Sequence, residues 1–286
     1  MTPPPYPPRV ATARDVEVGD GRLLRVHDSA AGGDDLALVW HHGSPQTGAL
    51  LEPVLAAAAR RGVRVVSYGR PGYGGSTPSP GRDVASAAGD VAAVADALGL
   101  SRLAVMGASG GAPHALACAA LLPDRVVGAV SLAGPAPLTE DLDWFEGMAD
   151  ERPLRAARLG RPARARYAEQ DEFDESSFVD TDWAALAGPW ASLGEDVGRA
   201  EAGGADGLVD DDVALVAPWG FDVAHVPCPV LLVHGSRDRV VPPSHSDWLL
   251  GRCPRAELWV RPRDGHVAVL EAVPVALDWL LEVSRP

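Results

Sequence analysis

Short apolar runs recur along the chain with helical stretches between them. Leu36-Ala37-Leu38-Val39-Trp40, Val63-Arg64-Val65-Val66-Ser67-Tyr68, Leu103-Ala104-Val105-Met106, Val126 to Leu132 and Pro229-Val230-Leu231-Leu232-Val233-His234-Gly235 are nearly continuous in apolar residues. That is the pattern of strands covered on both faces. Leu50 to Arg61 reads as a helix. Asp83 to Leu98 carries a helical period, with Val84, Ala87, Val91, Val94, Ala95 and Leu98 on one side. Strands alternating with helices in this way predict a mostly parallel sheet with helices on both faces. Ahead of it, Arg14 to Val18 and Arg22 to Ser29 flank Gly19-Asp20-Gly21, a hairpin signal. At the far end come a helix from about Pro243 to Gly251, a strand Glu257-Leu258-Trp259-Val260 and a last helix from about Val267 to Val283.

The alternation stops at Gly134-Pro135-Ala136-Pro137. From there to about Val223 the chain carries Trp144, Phe145, Tyr167, Phe173, Phe178, Trp183, Trp190 and Trp219 among acidic and arginine-rich helical stretches. No strand-like run occurs in it, so residues 135–223 read as a helical insertion lying over the sheet, with Pro153 and Pro162 marking helix starts or breaks. Residues 14–134 and 224–286 would then form the core, and residues 1–13, rich in proline, an extended or disordered tail.

One stretch stands out for chemistry. Leu103 to Met106, then Gly107-Ala108-Ser109-Gly110-Gly111, then the alanine-rich segment from Ala112 read as strand, sharp turn and helix. Such a turn strains its central residue, and the positions two away must be small for strand and helix to approach. Gly107 and Gly111 meet that need. The turn lifts the Ser109 hydroxyl above the sheet and aims the first N–H groups of the helix at the same spot. Asp238, in Ser236-Arg237-Asp238, and His266, in Arg263-Asp264-Gly265-His266, each sit just beyond the C-terminal end of an expected strand, where ligands gather in open α/β sheets.

Composition narrows the function. The 286 residues are 47% hydrophobic and 22% charged, as in a globular protein. A net charge of −14 argues against nucleic acid or anionic membrane as partners. All 25 basic residues are Arg, while Ile, Lys and Asn are absent, the mark of GC-rich coding rather than of mechanism. Cys118, Cys228 and Cys253 have no C-x-x-C spacing and fit reduced thiols. With no secretory signal and no apolar run of membrane-spanning length, the expectation is a soluble, cytoplasmic protein, with a homo-oligomer open. The adjacent His41 and His42 point in opposite directions on a strand end, with no cysteine or carboxylate at ligand spacing, so no metal site is expected.

The order Ser, Asp, His, each on its own strand-end loop, is that of a known triad arrangement. With His42-Gly43-Ser44-Pro45, Arg70-Pro71-Gly72-Tyr73-Gly74-Gly75-Ser76, the Ser109 pentapeptide, His234-Gly235-Ser236-Arg237-Asp238 and Gly265-His266, the chain resembles the α/β-hydrolase superfamily over residues 14 to 283, nearest to capped serine esterases and proline iminopeptidases. Gly69 departs from the family, which usually has an acidic residue there.

The resemblance implies the α/β-hydrolase fold, with a mostly parallel eight-stranded sheet and a helical cap. It implies acyl transfer by Ser109, His266 and Asp238, with the N–H groups of Ser44 and Gly110 as oxyanion hole and no cofactor. Glu140 and Asp264 are rivals of Asp238 for the acid. A serine nucleophile excludes the alkyl-ester chemistry of the epoxide hydrolases and dehalogenases of this fold, leaving a small-molecule ester, thioester, lactone or amide. Glu140, with the aromatic Trp144 and Phe145, is a candidate site for a cationic group, which keeps an aminopeptidase in view. A lyase or ligand-binding member of the fold is the alternative of another class.

Overall fold

The computed structural model describes residues 11–30, 36–170 and 172–285. Residues 1–10 of the expected tail lie outside them, and the first strand already begins at Thr12. Eight strands form one sheet: β1 (Thr12–Glu17), β2 (Leu23–Asp28), β3 (Ala37–His41), β4 (Arg64–Tyr68), β5 (Leu103–Ala108), β6 (Val126–Leu132), β7 (Val230–Gly235) and β8 (Ala256–Arg261), in the order β1-β2-β4-β3-β5-β6-β7-β8. β1 pairs antiparallel with β2 and β2 with β4, while all other neighbours are parallel. The chain leaves β3 for β4 on one side and returns to β5 on the other. The loops after β3 and β5 therefore diverge at a switch point, and a crevice opens there.

Alternation along the buried strands sorts side chains into two cores. Val39, Val105 and Leu232 pack with α2 (Ser86–Leu98) and α3 (Ala112–Leu121) on one face. Leu38, Trp40, Met106 and Val233 pack with α1 (Glu52–Ala59) and α10 (Val273–Val283) on the other. The expected helices are shorter than their periodic segments for local reasons. Asp83 accepts from the Ser86 N–H (2.8 Å) and so stands before α2 rather than inside it. The segment after His266 makes a tight turn over Ala268–Ala272 before α10 begins, with Pro274 in its first turn.

Between β6 and β7 the described residues form five α-helices: α4 (Arg152–Arg158), α5 (Arg161–Ala168), α6 (Asp180–Leu186), α7 (Ala191–Ala202) and α8 (Asp206–Val216). α9 (Ser244–Leu250) lies between β7 and β8. Among the described residues no helix is long and apolar enough to cross a membrane.

Candidate active site

Ser109 sits on the turn between β5 and α3 with φ +51°, a left-handed conformation costly for any residue but glycine. The neighbouring glycines are required by contact. A Cβ on Gly107 would run into the Gly111 carbonyl, and one on Gly111 into the carbonyls of His41 and His42. Strand, turn and helix are thus pressed together at van der Waals distance, which holds the hydroxyl clear of the sheet.

The two later loops meet it. His266 Nε2 lies 2.9 Å from Ser109 Oγ, and His266 Nδ1 lies 2.7 Å from Asp238 Oδ2. The other oxygen of Asp238 accepts from the N–H groups of Val240 (2.9 Å) and Val241 (3.0 Å), which fixes the carboxylate in its own loop. Burial pulls the imidazole down, but the adjacent Asp238 charge outweighs it and leaves His266 above the ordinary histidine value. Asp238 is pushed up by burial and down by His266 and His234, and ends well below the usual carboxylate range. The rivals lie elsewhere: Asp264 pairs with Arg261 at 2.7 Å, and Glu140 is exposed.

Ser44 and Gly110 come face to face across the β3 and β5 loops; a Cβ on Gly110 would stand 2.6 Å from Ser44 Oγ. The loop that presents Ser44 is held from below. His42 Nδ1 donates to the Gly43 carbonyl (2.7 Å), and its Nε2 accepts from the Arg70 N–H (3.0 Å). Arg70 also donates to the carbonyls of His42 and Gly43 and to Ser44 Oγ (2.9 Å). Its charge is met by Asp211 of α8 at 2.6 Å, which pairs with Arg82 as well (2.6 Å) and accepts from Ser44 Oγ (2.5 Å) and Tyr73 Oη (2.9 Å). Burial pushes Asp211 up, yet Arg70 and Arg82 together hold it well below the carboxylate range. This carboxylate takes over the anchoring that an acid at position 69 would supply. There is no room for a side chain there, since a Cβ on Gly69 would stand 2.6 Å from the Tyr73 carbonyl and 2.8 Å from that of Thr47.

A cavity of about 420 Å³ opens over Ser109. Gly43, Ser44, Gln46 and Ala108 form its floor with Ser109 and His266, and Phe173, Phe178, Trp183, Leu186, Leu193 and Val197 of the insertion form its roof. Glu201 of α7 is the one ionisable roof residue among the described lining.

Trp144 and Phe145 are not among the residues that line that cavity. Trp144 Nε1 donates to the Ala136 carbonyl (2.7 Å) and its ring packs on His245, whose Nε2 donates to the Trp144 carbonyl (2.9 Å). Phe145 lies under the Arg155 guanidinium, 4.2 Å from its ring centre. Glu140 stands in solvent, and Trp144 and Phe145 pack against His245 and Arg155. What the motifs do not single out is which of the insertion's aromatics line the cavity, and three insertion carboxylates aimed at the core loops: Asp182, Asp196 and Asp211. Asp196 accepts from both the N–H (3.0 Å) and the hydroxyl (2.5 Å) of Thr47. Their only sequence signal is an acid at helical spacing, indistinguishable from a solvated one. Among the described residues no group of three His, Cys, Asp or Glu is placed to hold a metal.

The model of the alpha/beta hydrolase fold matches residues 37–273. The chain belongs to the alpha/beta hydrolase family. A non-heme chloroperoxidase of Streptomyces lividans is 29% identical over 73% of this chain and 76% of its own. A 2-hydroxy-6-oxo-6-phenylhexa-2,4-dienoate hydrolase of Burkholderia cepacia is 27% identical over 91% and 92%. Among solved structures, an esterase of Thermogutta terrifontis superposes with TM-score 0.73 at 20% identity, over 96% of this alpha/beta hydrolase and all of that chain, a likeness of fold.

Proposed function

We propose that this alpha/beta hydrolase cleaves a carboxylic ester of a small molecule through a covalent acyl-enzyme. The observation that carries this is the continuous hydrogen-bond chain from Asp238 through His266 to Ser109 Oγ, 2.7 and 2.9 Å long, opening on a largely apolar cavity. His266 takes the Ser109 proton as Oγ attacks the carbonyl carbon and returns it to the leaving alcohol. Water then repeats the cycle on the acyl-enzyme. Asp238 keeps Nδ1 protonated, so that Nε2 is free to accept, and stabilises the imidazolium. The N–H groups of Ser44 and Gly110 receive the oxyanion, each such donor being worth about a hundred- to a thousandfold in turnover. Residues 135–223 act as a cap that excludes water from the acyl group.

The aromatic and aliphatic roof favours an apolar acyl chain. Among the described lining residues no Arg is present to pair with a substrate carboxylate, and Glu201 would repel one. An aminopeptidase that used Glu140, Trp144 and Phe145 as its amine site would need them at the cavity over Ser109, and they do not line it. The test is hydrolysis of p-nitrophenyl esters of graded acyl length beside proline and alanine anilides. A fluorophosphonate is expected to label Ser109 and to fail on Ser109→Ala. Lack of turnover of every activated ester, with no labelling, overturns the reading.

A further inference from the structure

Asp182 lies in the first turn of α6, inside the insertion, with no exposed surface. Its Oδ1 accepts from the N–H groups of Val267 (2.7 Å) and Ala268 (2.9 Å), the two residues that follow His266. Its Oδ2 accepts from the Val179 N–H (3.0 Å) and occupies the place where a side chain at Gly265 would begin. Thr181 Oγ1, next to it, donates to the Arg263 carbonyl (3.2 Å). The loop carrying His266 is therefore gripped on both sides of the imidazole by one turn of an insertion helix.

We infer that Asp182 is a positioning residue for His266, tying down the backbone beside the imidazole and placing a second negative charge behind it. The inference rests on the reading of His266 as general base. Asp211 is neutralised by Arg70 and Arg82, whereas the three N–H groups on Asp182 are dipoles and leave its net charge in place. An uncompensated carboxylate in a buried site acts strongly on a neighbouring cation. Other groups facing the imidazole are Asp238 from the loop after β7 and Ser109 from the turn after β5. More remote are His234 behind Asp238, Glu201 on the cavity roof, and Asp264, which Arg261 holds. Of these only Asp238 and Asp182 favour the charged imidazole directly.

The test compares wild type with Asp182→Asn, Asp182→Ser and Asp182→Glu. It reads the His266 imidazole pKa by NMR, assigned through His266→Gln, and the acid limb of kcat/KM for p-nitrophenyl butyrate. In the two neutral variants the imidazole pKa and the acid limb should both fall measurably below those of wild type. Their kcat should drop roughly tenfold with KM within about twofold of wild type, the split expected when a transition-state charge loses support. Asp182→Glu, which keeps the charge and disturbs the hydrogen bonds, should restore the limb while lowering Tm. A folded Asp182→Asn with the wild-type imidazole pKa overturns the inference, and so does failure of both neutral variants to fold, which makes Asp182 a structural tie alone. An inactive wild type would sink the esterase reading while the NMR arm still decides the role of Asp182.

Discussion

At the scale of single residues, the site is a set of groups whose usual behaviour is changed by neighbours. Ser109 is held at positive φ by the glycines around it, so Gly111→Ala, which drives a methyl into the carbonyls of His41 and His42, should prevent accumulation of soluble protein. Ser109→Ala should fold and lose nearly all turnover, with any residue of rate coming from the proposed oxyanion hole and from binding. His266 carries its proton to higher pH than an ordinary histidine, and the general base proposed above can act only when deprotonated. Activity should therefore fall on the acid side of a midpoint above the ordinary value of 6.5. Asp238→Asn should lower that midpoint and reduce kcat by about ten-thousandfold, since the imidazole is left in the wrong tautomer. The pair also bears on stability. The raised His266 pKa contributes fully below the unfolded histidine value and is lost as pH rises through the folded one.

At the scale of elements, α8 is tied to the β3 and β4 loops by one carboxylate. Removing it by Asp211→Asn would leave Arg70 and Arg82 buried with their charge unmatched, and breaking such a buried pair typically costs about 3–5 kcal/mol. Urea unfolding at neutral pH should show that loss. The wild-type stabilisation should be complete above the unfolded carboxylate pKa and disappear as pH falls through the lower folded one, so the two chains should converge in acid. Elements of this kind differ in how far the sequence announces them. The buried strands were legible because Leu38 and Val39, or Leu231 and Leu232, must both be apolar when each face is covered. The turn at Ser109 was legible because its glycines are sterically obligatory. Which aromatics form the roof was not. Trp144-Phe145 and Phe178 to Trp183 have the same aromatic and acidic character, and what separates them is His245, a hundred residues away in sequence, which takes Trp144 into a packing role. Asp182, Asp196 and Asp211 were illegible for a related reason, since the backbone N–H groups, hydroxyls and arginines they meet on the core loops are brought near only by the folded sheet.

At the scale of the whole molecule, a net charge of −14 and a roof whose one described ionisable group is Glu201 oppose anionic substrates from a distance and at contact. A p-nitrophenyl ester bearing a free carboxylate should show kcat/KM at least roughly tenfold below that of the neutral butyrate, one tenfold step being about 1.4 kcal/mol. Salt should narrow the gap, because it screens the long-range part. Glu201→Gln should narrow it further at any ionic strength. A different property of the fold follows from where sulfur lies. Cys118, Cys228 and Cys253 are all sealed in the interior, and burial pushes all three thiols up. A colourless aromatic disulfide added to the native chain should therefore release its yellow thiolate only as fast as the chain opens. The protein carries its own reporter of breathing, spread over α3, the approach to β7 and the approach to β8, and readable without any engineered label.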